Sequence, residues 1–258
     1  MRSSKKLTNE MAELLLKISA MLMTAGANTN RILLIINKFS VLMHVDAQVF
    51  INHKAFIISL TDKHNGDKTT QVKRLPAHII NFNTLSGLSQ IAVLAKKEQW
   101  SFDKIKKEVE IIDNQKPHSR WMVLIAVSFA GAGLSILFGS DYYGFLSVFI
   151  GTFLGLFIKQ AFHHKGFNTY LGTFAGTFIS SLSTALLLTF IPCKNPDVAI
   201  ATSVLFSVPG VPLINSFTDL MDGYFITGMV RFIHGLLYVL SIAAALFIIL
   251  YLFNIQRL

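Results

Sequence analysis

Along the first hundred residues, apolar positions change period twice. From Thr8 to about His44 they fall at Met11, Leu14, Leu15, Ile18 and Leu22, and then at Ile32, Ile35, Ile36, Phe39 and Leu42, which is the helical period. Gly26-Ala27-Asn28-Thr29 interrupts that run, with Thr29 placed to cap a second helix that carries Arg31 in its first turns. Between 47 and 74 the pattern becomes strand-like: Val49, Ile51, Phe56, Ile58, Leu60 and Val72 sit among polar neighbours, and Asn65-Gly66 supplies an I′-type turn. This predicts a small sheet of about three strands. After Pro76 the helical period returns through Ile79, Phe82, Leu85, Leu88 and Ala92, and a further helix runs from Ser101 to about Asp113 with Phe102, Ile105, Val109 and Ile112 on one face.

Beyond residue 120 the pattern is no longer amphipathic. The stretches 121–138, 142–158 and 169–191 carry no charge, 198–218 is apolar but interrupted, and 232–253 is apolar with His234 near its start. Each is long enough for a hydrocarbon layer of about 30 Å, the second only just. The expected fold is therefore an α-helical membrane protein: about five transmembrane helices over residues 120–258, preceded by a small cytoplasmic α+β domain over 1–119. Thirteen of the 16 glycines lie in the later part, and Gly151-x3-Gly155 with Gly172-x3-Gly176 forms small-x3-small faces suited to close helix packing.

Composition agrees with this division. The chain is 52% hydrophobic and 14% charged, with a net charge of +9, and residues 1–119 hold 17 Lys and Arg against 10 Asp and Glu. Basic residues on the flank of membrane spans follow the positive-inside rule, so the front half is expected in the cytoplasm and the protein in the inner membrane. No basic-aromatic module points to nucleic acid. Cys193 is the single cysteine, so no internal disulfide forms. The sequence holds no Walker loop, no Gly-x-Ser-x-Gly and no His-Glu-x-x-His, so neither an enzyme nor an ATP-driven pump is indicated, and no cofactor or metal is expected. His163-His164 points to two sides of a helix and reads as interfacial.

The interrupted fourth span is the stretch in which unusual features coincide. Pro209, Gly210 and Pro212 break it, because a proline gives no N–H and obstructs the carbonyl one turn earlier, so unpaired backbone groups become available to a ligand. Asn215 offers donor and acceptor on one amide, Asp219 can exchange a proton, and Arg231 can pair with a carboxylate. Counted at ~1.5 Å per residue from Val198, Pro209 lies about 16 Å into a ~30 Å core. On that count Pro209 to Asn215 is the expected substrate contact, while Asp219, Asp222 and Arg231 form an inner gate or proton entry.

Pro209-Gly210-Val211-Pro212-Leu213-Ile214-Asn215 followed by Asp219-Leu220, Gly223, Gly228 and Arg231 resembles the signature of the threonine/serine exporter family. Gly26-Ala27-x-Thr29-x-Arg31 resembles its N-terminal motif, departing from it at Asn28 and Asn30. The resemblance implies secondary export of small polar carboxylate metabolites, threonine or serine in the fused form and succinate-like dicarboxylates in the split form, driven by a proton or another ion. It also implies a partner: a second membrane module, here a separate small multi-span subunit. Gly26, Thr29 and Arg31 would then shape a cytoplasmic gate. The competing reading is a membrane-anchored sensor or assembly protein that acts through its cytoplasmic half.

Overall fold

The computed structural model describes residues 2–52, 55–64, 66–74, 80–116 and 118–253, with side chains from Lys5 onward. Asn65, Pro76 and Ile79, named above, lie outside the described residues. Ten α-helices and three strands follow in order among the described residues: α1 (Arg2–Thr24), α2 (Thr29–Leu42), β1 (Val45–Asn52), β2 (Ala55–Asp62), β3 (Lys68–Arg74), α3 (Phe82–Glu98), α4 (Phe102–Asp113), α5 (Arg120–Leu137), α6 (Tyr142–His164), α7 (Thr169–Phe190), α8 (Pro196–Ser203), α9 (Gly210–Met221) and α10 (Phe225–Leu252). A single 3₁₀ turn, Leu205–Ser207, follows α8. The chain divides into two compact units. The first combines residues 1–116 with Val211–Ile233, and the second combines 117–210 with residues from His234 onward. Contacts thus divide the chain otherwise than a single cut at 119, because α9 and the start of α10 belong with the N-terminal helices.

The first unit has one apolar core. Leu15, Ile18 and Leu22 of α1, Ile32, Ile36 and Phe39 of α2, Phe56, Ile58 and Leu60 of β2, Leu88 of α3 and Ile105 of α4 are fully buried in it. These are the positions that the two periods mark out. The sheet is antiparallel in the order β1-β2-β3, with Val45 opposite Asp62 and Ile57 opposite Val72. Strand β2 sends alternate residues into the core, whereas Val72 faces out at 65% exposure. One expectation is corrected here, while the turn expected at Asn65-Gly66 lies partly outside the described residues, with Gly66 at φ +73 and its N–H on the Asp62 carbonyl. The cap of α2 is Asn28 and not Thr29: the Asn28 Oδ1 accepts from the Arg31 N–H at 2.9 Å, leaving Thr29 as the first helical residue.

In the second unit, α6 and α7 pack through the two glycine faces. A Cβ on Gly155 would lie 2.5 Å from the Gly176 carbonyl oxygen, and one on Gly176 would lie 2.8 Å from the Gly155 oxygen, so any side chain at either position drives the helices apart. Buried hydroxyls fill the remaining contacts. Ser180 and Thr152 both donate to the Ser203 carbonyl, at 2.7 and 3.1 Å, so the backbone at the end of α8 is satisfied by protein groups. At one end of the bundle, Asp141 caps α6 by accepting from the Gly144 N–H and also accepts the Lys194 N–H, both at 2.9 Å, which ties the α5–α6 and α7–α8 connections together. Those two backbone donors hold its carboxyl below the ordinary range. Arg120, at the other end, donates to Gln160. The alternation of helix ends agrees with successive crossings.

Four helices, α5, α6, α7 and α10, are long and apolar enough to cross a membrane, or five crossings if the bent pair Pro196–Ser207 and Gly210–Met221 counts as one. The protein is thus a mostly helical membrane protein with a small three-stranded sheet. The fifth apolar helix begins at Phe225, not 232. Between α9 and α10 lies a tight turn at Asp222–Tyr224, closed because Gly223 takes φ +85 and the Tyr224 N–H reaches back to the Asp219 carbonyl at 2.8 Å.

Candidate functional site

Gly26 ends the α1–α2 connection's sharp bend at φ +99, a backbone conformation that a side chain would strain. The Ala25 carbonyl accepts the Asn81 N–H, and the bend presents two further carbonyls, those of Gly26 and Ala27, beside the first N–H of α2. Helix α9 supplies the complementary groups. Asn215 and Asp219 are four residues apart and so share one face of α9. Asn215 donates its amide to the Gly26 carbonyl at 2.8 Å. Asp219, with no exposed surface, accepts the Thr29 N–H at 2.8 Å on one oxygen and the Thr29 hydroxyl at 3.0 Å on the other. The amide that Asn28 leaves free at the start of α2 is therefore capped by a carboxylate 190 residues away, where the helix dipole favours negative charge.

Arg231 completes the cluster. Its guanidinium lies 3.3 Å from Asp219 Oδ2, donates to the Ala27 carbonyl at 3.0 Å, and approaches the Met23 sulfur at 2.9 Å. Nη1 forms the ion pair without hydrogen-bond alignment. Both partners are buried, so the pair stands in a medium where separating the charges is costly. Together these groups make a latch within the first unit, joining the α1–α2 bend to α9 and the first turns of α10.

The structure therefore brings Gly26, Thr29, Asn215, Asp219 and Arg231, read above as two separate features, into one constellation. Pro212 sits in the first turn of α9, where its missing N–H costs no helical bond. Four of the expected residues are placed elsewhere. Asp222 is exposed on the turn after α9. Arg31 is exposed and donates to Ser89 Oγ at 3.0 Å. Pro209 and Gly210 end the second unit's segment, with Pro209 buried and the Gly210 N–H on the Val208 carbonyl. Met23 and the Ala27 carbonyl went unread in the sequence because a backbone acceptor and a core methionine leave no signal. The i, i+4 spacing of Asn215 and Asp219 was the available one. Among the described residues, no group of three or more metal-ligating side chains converges.

A sequence profile described as "Putative threonine/serine exporter" matches residues 13–253, which covers the bend, the latch and every apolar helix. The chain belongs to the threonine/serine exporter family. Two relatives named "Probable succinate transporter subunit YjjP" are similar to it: one from Klebsiella aerogenes, 24% identical over 176 residues, covering 67% of each chain, and one from Escherichia coli K12, 25% identical over 175 residues, covering 67% of this chain and 68% of that one. No solved structure matches. Membership in a family of membrane exporters accounts for the apolar helices and makes transport the activity to be explained by the two units.

Proposed function

We propose that this protein is a secondary exporter of small carboxylate metabolites, threonine and serine or dicarboxylates such as succinate. On this reading it sits in the inner membrane with residues 1–119 cytoplasmic, and it works with a separate small multi-span subunit. The relatives' description as a transporter subunit supports the partner, and the family supports export over an enzymatic activity. The observation that carries the reading is the Asp219 latch. A buried carboxylate that holds a helix N-terminus, a hydroxyl and an arginine is a two-state element, because adding a proton to it weakens all three contacts together.

In this mechanism the latch is the inner gate. Charged Asp219 keeps α9 fastened to the α1–α2 bend; protonation removes the ion pair with Arg231 and the charge that the α2 dipole favours, so α9 can leave. Asn215 holds the same face by a neutral bond and re-registers α9 on closing. A proton, or another cation competing for the carboxylate, would so be coupled to gate opening without any cofactor. Gly26 serves this gate through its carbonyl, and Thr29 through its N–H and its hydroxyl. Co-reconstitution of the chain with its neighbouring small membrane subunit, followed by efflux of labelled threonine, serine and succinate, tests the reading. Efflux of at least one of them, lost on Asp219→Asn in protein that still inserts, is the expected result. Absence of flux for all three in the parent protein sinks it.

A further inference from the structure

The positive charge that the latch consumes has a counterpart that nothing consumes. Within the second unit, a cavity of about 430 Å³ opens where the start of α5, the end of α6 and the start of α7 meet. Its volume is at the small end of ligand pockets, suited to a metabolite and a few waters. Arg120 and Lys159 line it together with His118, His163 and His164, and no aspartate or glutamate is among its lining residues. The hydrogen bonds of these two basic side chains go to neutral groups. Arg120 donates to Gln160 Oε1 at 2.7 Å and to the Phe157 carbonyl at 3.3 Å, while Lys159 Nζ lies 3.4 Å from Ser207 Oγ. Among the described residues, no carboxylate lies within ion-pair distance of either one.

Two half-buried cations held only by neutral partners, among them the faces of the Phe157 and Phe206 rings, form an arrangement that an entering anion would stabilise, since burial penalises each charge and a counter-charge offsets that penalty. Gln160 and the Phe157 carbonyl fix the Arg120 fork, so that cation is oriented at the cavity. We propose that this cavity is a binding site for a small dicarboxylate, with Arg120 taking one carboxylate and Lys159 the other. The absence of an acid from the lining adds selectivity. An amino-acid zwitterion would bring an ammonium group for which the cavity has no carboxylate, so threonine and serine bind more weakly than a dianion of similar size. The site rests on the exporter reading for its purpose, but not for its chemistry.

The test is equilibrium binding of labelled succinate to the full chain in phosphatidylcholine nanodiscs, with unlabelled threonine, inorganic phosphate and added phosphatidylglycerol as competitors. Parent protein binds succinate, and Arg120→Gln and Lys159→Gln each weaken binding by about tenfold or more, as loss of one charge-assisted contact requires. Lys159→Arg, which keeps the charge, retains binding within about threefold, and threonine displaces succinate poorly. No binding by the parent, or equal binding by the Arg120→Gln/Lys159→Gln double variant, overturns the site. Displacement of succinate by phosphatidylglycerol, with that lipid retained by the parent and lost from the double variant in native mass spectrometry, also overturns it and assigns the cavity to a lipid headgroup. Displacement by inorganic phosphate at lower concentration than any dicarboxylate overturns the ligand class. The two proposals fail separately. Efflux that persists unchanged in the double variant removes the site and leaves the exporter standing, whereas charge-dependent succinate binding without flux in the parent leaves the site and removes the exporter.

Discussion

Arg231 and Lys159 are both cations on long apolar helices, yet their surroundings differ in one respect that decides their chemistry. Arg231 has a buried carboxylate at 3.3 Å, and that carboxylate has two more donors from Thr29. Lys159 has a hydroxyl at 3.4 Å, and its cavity contains no acid. A paired charge in a protein interior is a structural joint, since its field is spent on its partner; an unpaired one is an open demand for an anion. The comparison teaches that the residues most conspicuous in the sequence fasten the protein, while a lysine that reads as an ordinary interfacial charge faces the space a substrate could occupy.

Breaking the joint gives the largest expected effect. Asp219→Asn leaves Arg231 buried without a counter-charge and Thr29 with a poorer acceptor, so it should destabilise the first unit by about 3–5 kcal/mol. Arg231→Leu should cost a similar amount for the converse reason. The Asp219→Leu/Arg231→Leu double variant should recover part of the sum, because neither charge is then stranded. Thermal and denaturant unfolding of the purified chain measures all three. Strict additivity would show that the two residues do not act as a pair, and the comparison with Lys159 would lose its first half.

How much of this was legible in the sequence follows from which physics leaves a periodic trace. Core positions such as Leu15, Ile36 and Ile58 repeat at 3.6 or 2 residues, so α1, α2 and the sheet could be read directly. The glycine faces of α6 and α7 could be read too, and they pack as their spacing implies. The pairing of Thr29 with Asp219 could not. It links residues 190 apart, and no local pattern encodes which polar groups meet across a fold. The pattern places the start of the last apolar stretch at 232 because Arg231 reads as a terminus by its charge; a charge is admitted inside a helix when a partner waits there, and Asp219 is that partner. Lys159 was passed over for the complementary reason: at the end of an uncharged run a lysine normally reaches solvent, and only the packing of three helix ends encloses it.

The neutral members of the latch should matter less, which sharpens the distinction between charge pairing and shape. Gly26→Ala forces a side chain into a left-handed bend and brings its Cβ within 3.4 Å of Val211, so a loss of about 1–3 kcal/mol is expected. Asn215→Ala removes one donor to the Gly26 carbonyl and should cost about 1–2 kcal/mol. Unfolding midpoints of the two variants measured beside Asp219→Asn give the ranking. An Asn215→Ala loss as large as that of Asp219→Asn would mean that the buried charge contributes nothing beyond a hydrogen bond.

The smallest expected stability change belongs to Lys159→Met, and it is the most discriminating. Methionine keeps an unbranched stem of similar length beside Gly176, whose built Cβ would touch the Lys159 Cβ at 2.8 Å, so packing between α6 and α7 is preserved. The substitution deletes a cation with no acid partner, a long contact to Ser207 and a position 5.6 Å from the centre of the Phe206 ring. No carboxylate is stranded by it, so the unfolding midpoint should stay within the range of an ordinary surface change, about ±0.5 kcal/mol, or rise as a buried charge is removed. The same variant should lose dicarboxylate binding. If Lys159→Met instead destabilises the protein as Arg231→Leu does, Lys159 is a second structural joint, and the contrast between a spent and an available charge collapses.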